Sequence, residues 1–258
     1  MNRQKLLISD VDFTLLGDDD HLAEFANWYA RNKARFQLVL TSGRFPKSII
    51  ESIETTHLPA PEVVIGGVGT EIWFFPSCRR VSGWPVCRLE YWDANRVRSI
   101  LTGMDRLEPQ ADEFQSDYKA SYFLRDADPA ELELIRTTLL EQSINAELVY
   151  SSQRDLDVLP QGCNKGAAAE YIAHYMGFDP SDVIVCGDSA NDISMFGYGF
   201  SGVVVGNAHA ELKALDAPSV YQSSKRHASG VLDGIEYWLE RDAGKLHVGH
   251  QEPDAVGY

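Results

Sequence analysis

The stretch Asp10-Val11-Asp12-Phe13-Thr14 directly follows the apolar run Leu6-Leu7-Ile8. Such a run predicts a short buried strand, and open α/β sheets bind ligands at the carboxyl ends of their strands. Asp10 and Asp12 would meet at that edge, where their mutual repulsion requires a cation, a shared proton or solvent. A bound Mg²⁺ meets this requirement, although a D-x-D pair alone also occurs as an ordinary turn at a strand end.

The charge of the chain excludes several classes of partner. Its 258 residues include 23 Lys and Arg against 38 Asp and Glu, a formal net charge of −15. Such a surface repels a phosphate backbone, so we expect neither nucleic acid nor an anionic membrane as a partner. No apolar run reaches the roughly 20 residues of a membrane span, and the first residues lack a signal-peptide pattern. The sequence therefore predicts a cytoplasmic protein.

The cysteines favour a reducing compartment. Cys78, Cys87, Cys163 and Cys186 show neither a C-x-x-C pair nor zinc spacing, which predicts thiols rather than disulfides. A disulfide between Cys78 and Cys87 is the alternative. Cys186 lies in an apolar run and is predicted to be a buried core thiol rather than a nucleophile.

A second strand is predicted at residues 36–40, after a helical pattern over residues 21–35. It ends in Thr41-Ser42-Gly43-Arg44. Strand, helix, strand at this spacing indicates a βαβ unit with parallel strands, which places Thr41 beside Asp10 with its hydroxyl suited to a phosphate oxygen. A third strand at residues 62–65 leads into a glycine-rich loop, residues 66–69, that allows either close approach of a ligand or a tight bend.

The pattern changes between residues 83 and 157. Helices are predicted at residues 93–104 and 129–142, and strands at residues 120–124 and 146–152. We interpret this α+β block as a cap domain inserted in the first sheet. The predicted fold class is α/β: a doubly wound parallel-sheet (Rossmann-like) core of residues 1–82 and 158–258, with a cap of residues 83–157. Residues 242–258 lack periodicity and are predicted to form a mobile tail.

Two more element ends carry polar groups. Lys165 begins a predicted helix capped by Asn164, where the helix dipole disfavours a cation unless an anion lies nearby. A solvated surface lysine is the alternative. A buried strand at residues 182–186 ends in Gly-Asp-Ser-Ala-Asn-Asp, where Asp188 has the position of a strand-end metal ligand. Asp192 can hold Lys165 or a metal-bound water.

The motifs D-V-D-F-T, T-S-G-R, N-K-G and G-D-S-A-N-D, in this order, resemble those of the haloacid dehalogenase superfamily of Mg²⁺-dependent phosphatases. The stretches GVGTEIW, DYKASY and RDLDVLPQGCNKG are similar to its sucrose-phosphate phosphatase branch, which includes the mannosylfructose-phosphate phosphatases. Phe13 stands where many relatives carry Gly or Asn, a departure that concerns the shape of the loop rather than the reaction.

The resemblance implies that Asp10 is the nucleophile, forming an aspartyl phosphate, and that Asp12 protonates the leaving oxygen and then activates water. It implies three further sets of residues. The phosphate ligands would be Thr41, Ser42 and Lys165; the Mg²⁺ ligands Asp10, Asp12 through its carbonyl, and Asp188; and the supporting residues Asn191 and Asp192. Candidate substrate contacts are Arg44, Glu71, Lys119, Tyr122 and Arg154, for which ordinary salt bridges within the cap and core are the alternative.

The leading functional hypothesis is hydrolysis of a disaccharide phosphate, most simply sucrose 6-phosphate, with mannosylfructose phosphate as a near competitor. Other sugar phosphates, a phosphohexomutase activity and a non-catalytic sugar-phosphate-binding domain are the alternatives. The resemblance further implies a small-molecule sugar phosphate as the substrate of a monomeric enzyme, with a sucrose-phosphate synthase-type glycosyltransferase as a protein partner.

Overall fold

Two β-sheets organise the computed structural model of the chain, which describes residues 4–85 and 92–244. In chain order, the strands are β1 (Lys5–Asp10), β2 (Phe36–Thr41), β3 (Val63–Gly66), β4 (Glu71–Phe74), β5 (Arg79–Arg80), β6 (Glu108–Pro109), β7 (Ala120–Phe123), β8 (Ala146–Ser151), β9 (Asp155–Pro160), β10 (Val183–Gly187), β11 (Ser201–Val204) and β12 (Val220–Gln222). The α-helices are α1 (Asp19–Asn32), α2 (Pro46–Thr55), α3 (Ala94–Leu101), α4 (Pro129–Glu141), α5 (Lys165–Tyr175), α6 (Ala210–Lys213) and α7 (His227–Asp242).

The larger sheet is doubly wound. Its strand order is β12-β11-β10-β1-β2-β3-β4-β5, parallel from β12 to β3, with β4 and β5 added antiparallel at the edge. Leu6, Leu7 and Ile8 are all buried because both faces of the sheet are covered. Leu7 packs with residues of α1 and α7, whereas Leu6 and Ile8 pack with residues of α5 on the opposite face. The predicted α/β fold class is confirmed.

The smaller sheet has the antiparallel order β6-β7-β9-β8. Residues of α3 and α4, including Val97 and Ile135, pack against Leu156 and Val158 in an apolar cluster of its own. This unit lies in the chain between β5 and α5, where the sequence indicates an inserted block. The other side of this sheet carries polar residues of its strands, including Ser121 and Asp157.

The whole of β9 belongs to the smaller sheet, because all six of its residues pair with β8. A boundary between cap and core at residues 157 and 158, as predicted, would divide this strand. Val158 and Leu159 are apolar and suit a strand of either sheet, so their pattern alone does not locate the boundary. We propose that the cap ends at Pro160.

The connection from the cap to α5 is short. Residues 161–164 alone separate the end of β9 from the first residue of α5. Glu147, on β8, accepts hydrogen bonds from the Gly162 backbone N–H at 3.3 Å and from Asn164 Nδ2 at 3.2 Å. The start of α5 is therefore anchored to the cap as well as to the core.

Some predictions concern residues outside the described part of the chain. The predicted mobile tail begins at the last residue of α7, and residues 245–258 lie outside that part. Cys87, the partner of Cys78 in the alternative disulfide, also lies outside the described residues. Cys186 is a buried core thiol, and burial raises its pKa.

Within residues 4–85 and 92–244, no helix combines the length and the apolar character needed to cross a bilayer.

The glycine-rich loop after β3 forms a tight turn that packs on the start of α5. Gly69 has φ +99°, a region that favours glycine. A Cβ at this position would collide with the backbone carbonyl of Asn164 and lie 2.7 Å from the Lys165 backbone nitrogen. The loop therefore serves both as a bend and as a site of close backbone approach, and the partner is α5.

We predict that Gly69→Ala lowers the free energy of unfolding by about 2 kcal/mol or more, through backbone strain and overpacking. Gly197→Ala is the matched control, because a Cβ at Gly197 meets nothing within 4 Å. Denaturant unfolding of both variants measures the difference. Equal stability of the two variants would contradict the close contact between this loop and α5.

Candidate active site

The carboxyl ends of β1 and β2 bring Asp10 and Thr41 together. The parallel register places the two residues opposite each other, and both are buried. On the other side of β1, β10 pairs in parallel, so that the loop after Gly187 lies at the same edge of the sheet. That loop carries Asp188, which is also buried. Neighbouring strand ends thus collect two carboxylates and a hydroxyl in one place.

Lys165 lies among these groups as a fully buried side chain. Its Nζ donates to Asp10 Oδ1 at 2.6 Å, to Asp192 Oδ1 at 2.7 Å and to Asn191 Oδ1 at 2.7 Å. The three acceptors match the three N–H donors of an ammonium group. The N-cap of its helix is Asn164, which accepts from the Ala167 backbone N–H at 2.9 Å. Lys165 is therefore a buried, paired cation rather than a solvated surface lysine.

Asp192 shapes the loop after β10. While its Oδ1 holds Lys165, its Oδ2 accepts the backbone N–H of Asp188 at 3.0 Å and of Ser189 at 3.1 Å. Gly187 leaves room for this side chain, since a Cβ there would lie 2.5 Å from the Asp192 Cβ. Because both of its oxygens already have donors, Asp192 is better suited to fixing Lys165 and Asp188 than to binding a metal.

Burial and neighbouring charges shift the pKa values of the acidic and basic groups in the site. Burial, opposed by Lys165, raises the pKa of Asp10 well above its usual value, and Asp192 and Asp188 raise it further. Burial and the neighbouring Asp192 carboxylate raise the pKa of Asp188 to about 7. Burial alone would lower the pKa of Lys165, but the Asp10 and Asp192 carboxylates reverse this effect and raise it. The site therefore holds more acidic groups than one ammonium can neutralise.

The residues fit a divalent cation between Asp10 and Asp188. Carboxylate oxygens of Asp10, Asp188 and Asp192 lie within 4.8 Å of one another. Asp10 Oδ2 is buried and has no hydrogen-bond partner among the described residues. Asp188 Oδ1 accepts from Thr14 Oγ1 at 3.3 Å, a contact that the sequence pattern does not predict. Hard cations such as Mg²⁺ prefer such oxygen ligands.

Asp12, the second aspartate of the D-x-D pair, is only partly buried. Its Oδ2 accepts from Ser42 Oγ at 2.9 Å and from Arg44 Nε at 2.9 Å. Arg44 is itself held by α2, because its Nη1 donates to Ser52 Oγ at 2.8 Å. The structure therefore places the candidate phosphate ligand Ser42 and the candidate substrate contact Arg44 on the carboxylate of Asp12.

A cavity of about 420 Å³ separates the edge of the larger sheet from the cap. From the core it is lined by Asp10, Asp12, Phe13, Ser42, Gly43, Arg44, Asp188, Ser189, Asn191 and His209, and from the cap by Gln110, Phe114, Lys119, Phe123, Ser151, Ser152, Arg154, Asp155 and Asp157. The acidic cluster thus opens into a polar chamber that is large enough for a drug-sized ligand.

Polar residues on the cap side of this cavity are fixed by one another. Lys119 is buried, and its Nζ lies 3.1 Å from Asp157 Oδ1, which also accepts from Ser121 Oγ at 2.6 Å. Arg154 donates to Asp155 at 2.9 Å. These side chains offer both hydrogen-bond donors and acceptors to a ligand.

Two predicted substrate residues do not line the cavity. Glu71 accepts a hydrogen bond from Trp73 Nε1 at 3.1 Å on β4. Tyr122 packs in the apolar cluster of the cap, where burial raises its pKa to about 12. Side chains alternate along a strand, so Ser121 faces Asp157 while Tyr122 faces the helices. Alternation places Asp155 and Asp157 on one face of β9, but only the pairing of β9 with β7 shows which face this is, so sequence reasoning missed both residues.

This arrangement of a doubly wound core, a cap and strand-end carboxylates defines a phosphoric monoester hydrolase of the haloacid dehalogenase superfamily. The chain belongs to the sucrose-6F-phosphate phosphohydrolase family, whose model matches residues 3–239. Mannosylfructose-phosphate phosphatase of Agrobacterium fabrum is 33% identical over 243 residues, covering 92% of this chain and 98% of that protein. Sucrose-phosphatase 1 of Nicotiana tabacum is 29% identical over 90% of this chain, which spans 59% of the tobacco protein.

A solved structure has the same fold. The sucrose-phosphatase of Synechocystis sp. PCC6803, in complex with sucrose and phosphate, superposes with a TM-score of 0.86 and is 32% identical. The match covers 92% of this chain and 98% of that chain, so it includes both the core and the cap.

We predict that Lys165→Met lowers the free energy of unfolding by about 3 kcal/mol or more at about pH 8, because it leaves buried carboxylates unpaired. The loss should shrink at about pH 5.5, since the folded protein can then neutralise those carboxylates by taking up protons. Lys225→Met is the control: Lys225 is exposed and pairs with Asp233 at 3.0 Å, so its loss should cost less than about 1 kcal/mol. Chemical unfolding at both pH values measures the difference, and a loss independent of pH would contradict the prediction.

We also predict that Mg²⁺ raises the melting temperature more at about pH 8 than at about pH 5.5. The folded-state pKa of Asp188 is raised to about 7, so below that pH a proton occupies the carboxylate and competes with the cation. Without metal, the Asp188 carboxylate binds a proton more tightly in the folded protein than in the unfolded chain. The free energy of unfolding therefore rises as the pH falls from about 7 towards the unfolded-state pKa of this group. Asp188→Asn should reduce the Mg²⁺-induced shift at both pH values. Shifts that are equal at the two pH values in the parent protein would count against this carboxylate as a ligand.

Proposed function

We propose that the chain is a Mg²⁺-dependent phosphatase that hydrolyses a disaccharide phosphate, sucrose 6-phosphate, through an aspartyl-phosphate intermediate, with mannosylfructose phosphate as the nearest competitor. One observation carries the proposal: Asp10 lines the cavity between core and cap with Oδ1 on Lys165 and with a buried Oδ2 that has no partner among the described residues. The family match and the sucrose-phosphatase fold support the same reaction.

Each residue has a role in this proposal. A carboxylate oxygen of Asp10 attacks phosphorus and the bond to the sugar oxygen breaks, while Asp12 gives that oxygen a proton. Asp12 then takes a proton from the water that hydrolyses the aspartyl phosphate. Lys165 and Thr41 bind phosphate oxygens; the Thr41 hydroxyl is buried and has no partner among the described residues, as a group reserved for a ligand would be.

Asp12 is positioned for both proton transfers by its neighbours. Ser42 and Arg44 hold its Oδ2 at 2.9 Å each, and its side chain remains partly exposed to the cavity. Arg44 is thus proposed to orient the acid rather than to bind the sugar. Asn191 and Asp192 are proposed to keep Lys165 in place through hydrogen bonds of 2.7 Å.

Asp10, the carbonyl of Asp12 and Asp188 would hold Mg²⁺, which supplies positive charge to balance the carboxylates and the phosphate dianion. The support for this set is the chemistry of the donors and the unpartnered Asp10 Oδ2. Asp192 belongs to the same acidic group, but both of its oxygens are engaged by protein donors.

The cap is proposed to select the leaving group. Lys119, Arg154 and Asp157 line the cavity. The ion pairs of Lys119 with Asp157 and of Arg154 with Asp155 present polar groups that suit sugar hydroxyls. We further propose that the enzyme is a cytoplasmic monomer that works with a sucrose-phosphate synthase-type glycosyltransferase, which would supply a phosphorylated disaccharide.

A panel of phosphate esters tests the substrate class. Phosphate release should be fastest with sucrose 6-phosphate or mannosylfructose phosphate and should require Mg²⁺. Faster turnover of hexose monophosphates would rule out a disaccharide specialist. Product analysis separates the remaining candidates: an isomerised phosphosugar would make the protein a mutase, and binding without turnover would make it a sugar-phosphate-binding domain.

We predict that Asp10→Asn reduces phosphate release by at least about 1,000-fold, because an amide cannot act as the nucleophile. The melting temperature should be retained or raised, since the substitution removes one of several repelling carboxylates without changing the size of the side chain. Asp216→Asn, at an exposed aspartate, is the control and should behave like the parent protein. Turnover retained in the Asp10 variant would disprove the covalent route.

A further inference from the structure

Phe13 is an unusual residue for its position. It directly follows Asp12 and lines the cavity, yet the residue is 64% exposed. A large apolar side chain exposed to water lacks the stabilisation that burial would provide, and a ligand that packs against it would restore part of that stabilisation.

The backbone at Phe13 is held in a strained conformation. Its φ of 61° lies in the left-handed region, which bulky residues rarely adopt. Two side chains from later in the chain hold it there: Asn207 Nδ2 donates to the Phe13 carbonyl at 2.7 Å, and His227 Nδ1 lies 3.0 Å from the same oxygen. Strain that the surrounding structure maintains is typical of functional sites.

Asn207 and His227 are themselves held in place by their neighbours. Asn207 Oδ1 accepts the His227 backbone N–H at 2.7 Å. The His227 ring fits because residue 17 is glycine: a Cβ on Gly17 would lie 2.6 Å from the ring Cε1. The ring of Phe13 therefore projects from a backbone whose position is set by α7 and by the loop before α6.

We infer that Phe13 is a substrate-binding residue, and that its ring packs against the apolar face of the sugar whose oxygen leaves in the reaction. This inference rests on the proposed function, because it takes the leaving group to be a sugar. Asp12 must reach the leaving oxygen, and Phe13, the next residue along the chain, lines the same cavity. The C–H face of a sugar is apolar, and its contact with the phenyl ring removes apolar surface of both from water.

The cap provides a second aromatic surface in the same cavity. Phe114 lines it and is 40% exposed. Phe13 and Phe114 thus approach the cavity from the core and from the cap, a composition suited to a ligand with apolar faces and polar edges. The contact favours esters of ring-shaped alcohols over esters of small linear ones.

The test compares two substitutions at Phe13. Phe13→Asn removes the ring while keeping a residue that tolerates positive φ, and Phe13→Tyr keeps the ring. The quantity measured is the ratio of kcat/KM for the best sugar phosphate to kcat/KM for glycerol phosphate, whose leaving group has no ring. We expect this ratio to fall about fivefold or more in Phe13→Asn, mainly through KM, and to stay within about twofold in Phe13→Tyr.

Tyr175→Asn is the matched control, because Tyr175 is a 55% exposed aromatic residue on α5 that does not line the cavity. Its ratio should equal that of the parent. An unchanged ratio in Phe13→Asn would overturn the inference. So would an equal fall in Phe13→Asn and Phe13→Tyr, since the effect would then come from the loop rather than from the ring.

Binding of sucrose, measured by calorimetry with Mg²⁺ and phosphate present, separates this inference from the proposed function. Weaker binding to Phe13→Asn than to the parent supports the ring contact even if the parent protein hydrolyses no sugar phosphate, a result that would refute the proposed function alone. Equal binding to both proteins, or the absence of both binding and turnover in the parent, would overturn the inference.

Discussion

The ion cluster around the Lys165 ammonium is the interaction on which the rest of the site depends. A fully buried lysine is tolerable because Asp10, Asn191 and Asp192 accept its three protons. The ammonium in turn makes it tolerable to bury Asp10 at the end of β1. The remaining negative charge, on Asp10 and Asp188, creates the demand for a divalent cation. The charges of the folded protein are thus incompletely balanced without a bound cation.

The topology of the sheet makes this cluster possible. Because β10, β1 and β2 are parallel neighbours, their carboxyl ends lie at one edge, and each contributes a short polar loop. Buried apolar strands behind those loops hold them rigidly, while the inserted cap covers the edge and brings its own polar residues. The strand-end carboxylates therefore lie in the core and face polar residues of the cap, which is inserted between β5 and α5.

Much of this could be predicted from the sequence, because a few local rules determine it. Parallel pairing in a βαβ unit places Thr41 opposite Asp10, and the position of Lys165 at a helix start signals a nearby anion. Other features of the cap could not be predicted from the sequence, because local patterns do not distinguish the alternatives. Val158 and Leu159 suit either sheet, so their pattern does not locate the end of the cap, which we propose to be Pro160. Tyr122 points away from the cavity because of strand parity, which only the pairing of β7 with β9 reveals.

The short segment between β9 and α5 has a mechanical consequence. It joins the cap to the helix whose first residue is Lys165. Glu147 of the cap accepts a hydrogen bond from Asn164, the residue just before Lys165. If the cap swings as a unit, its pivot on this side lies next to the ammonium that neutralises Asp10. Opening the chamber would then displace the start of α5, so that motion of the cap and the position of the Lys165 ammonium beside Asp10 would be linked.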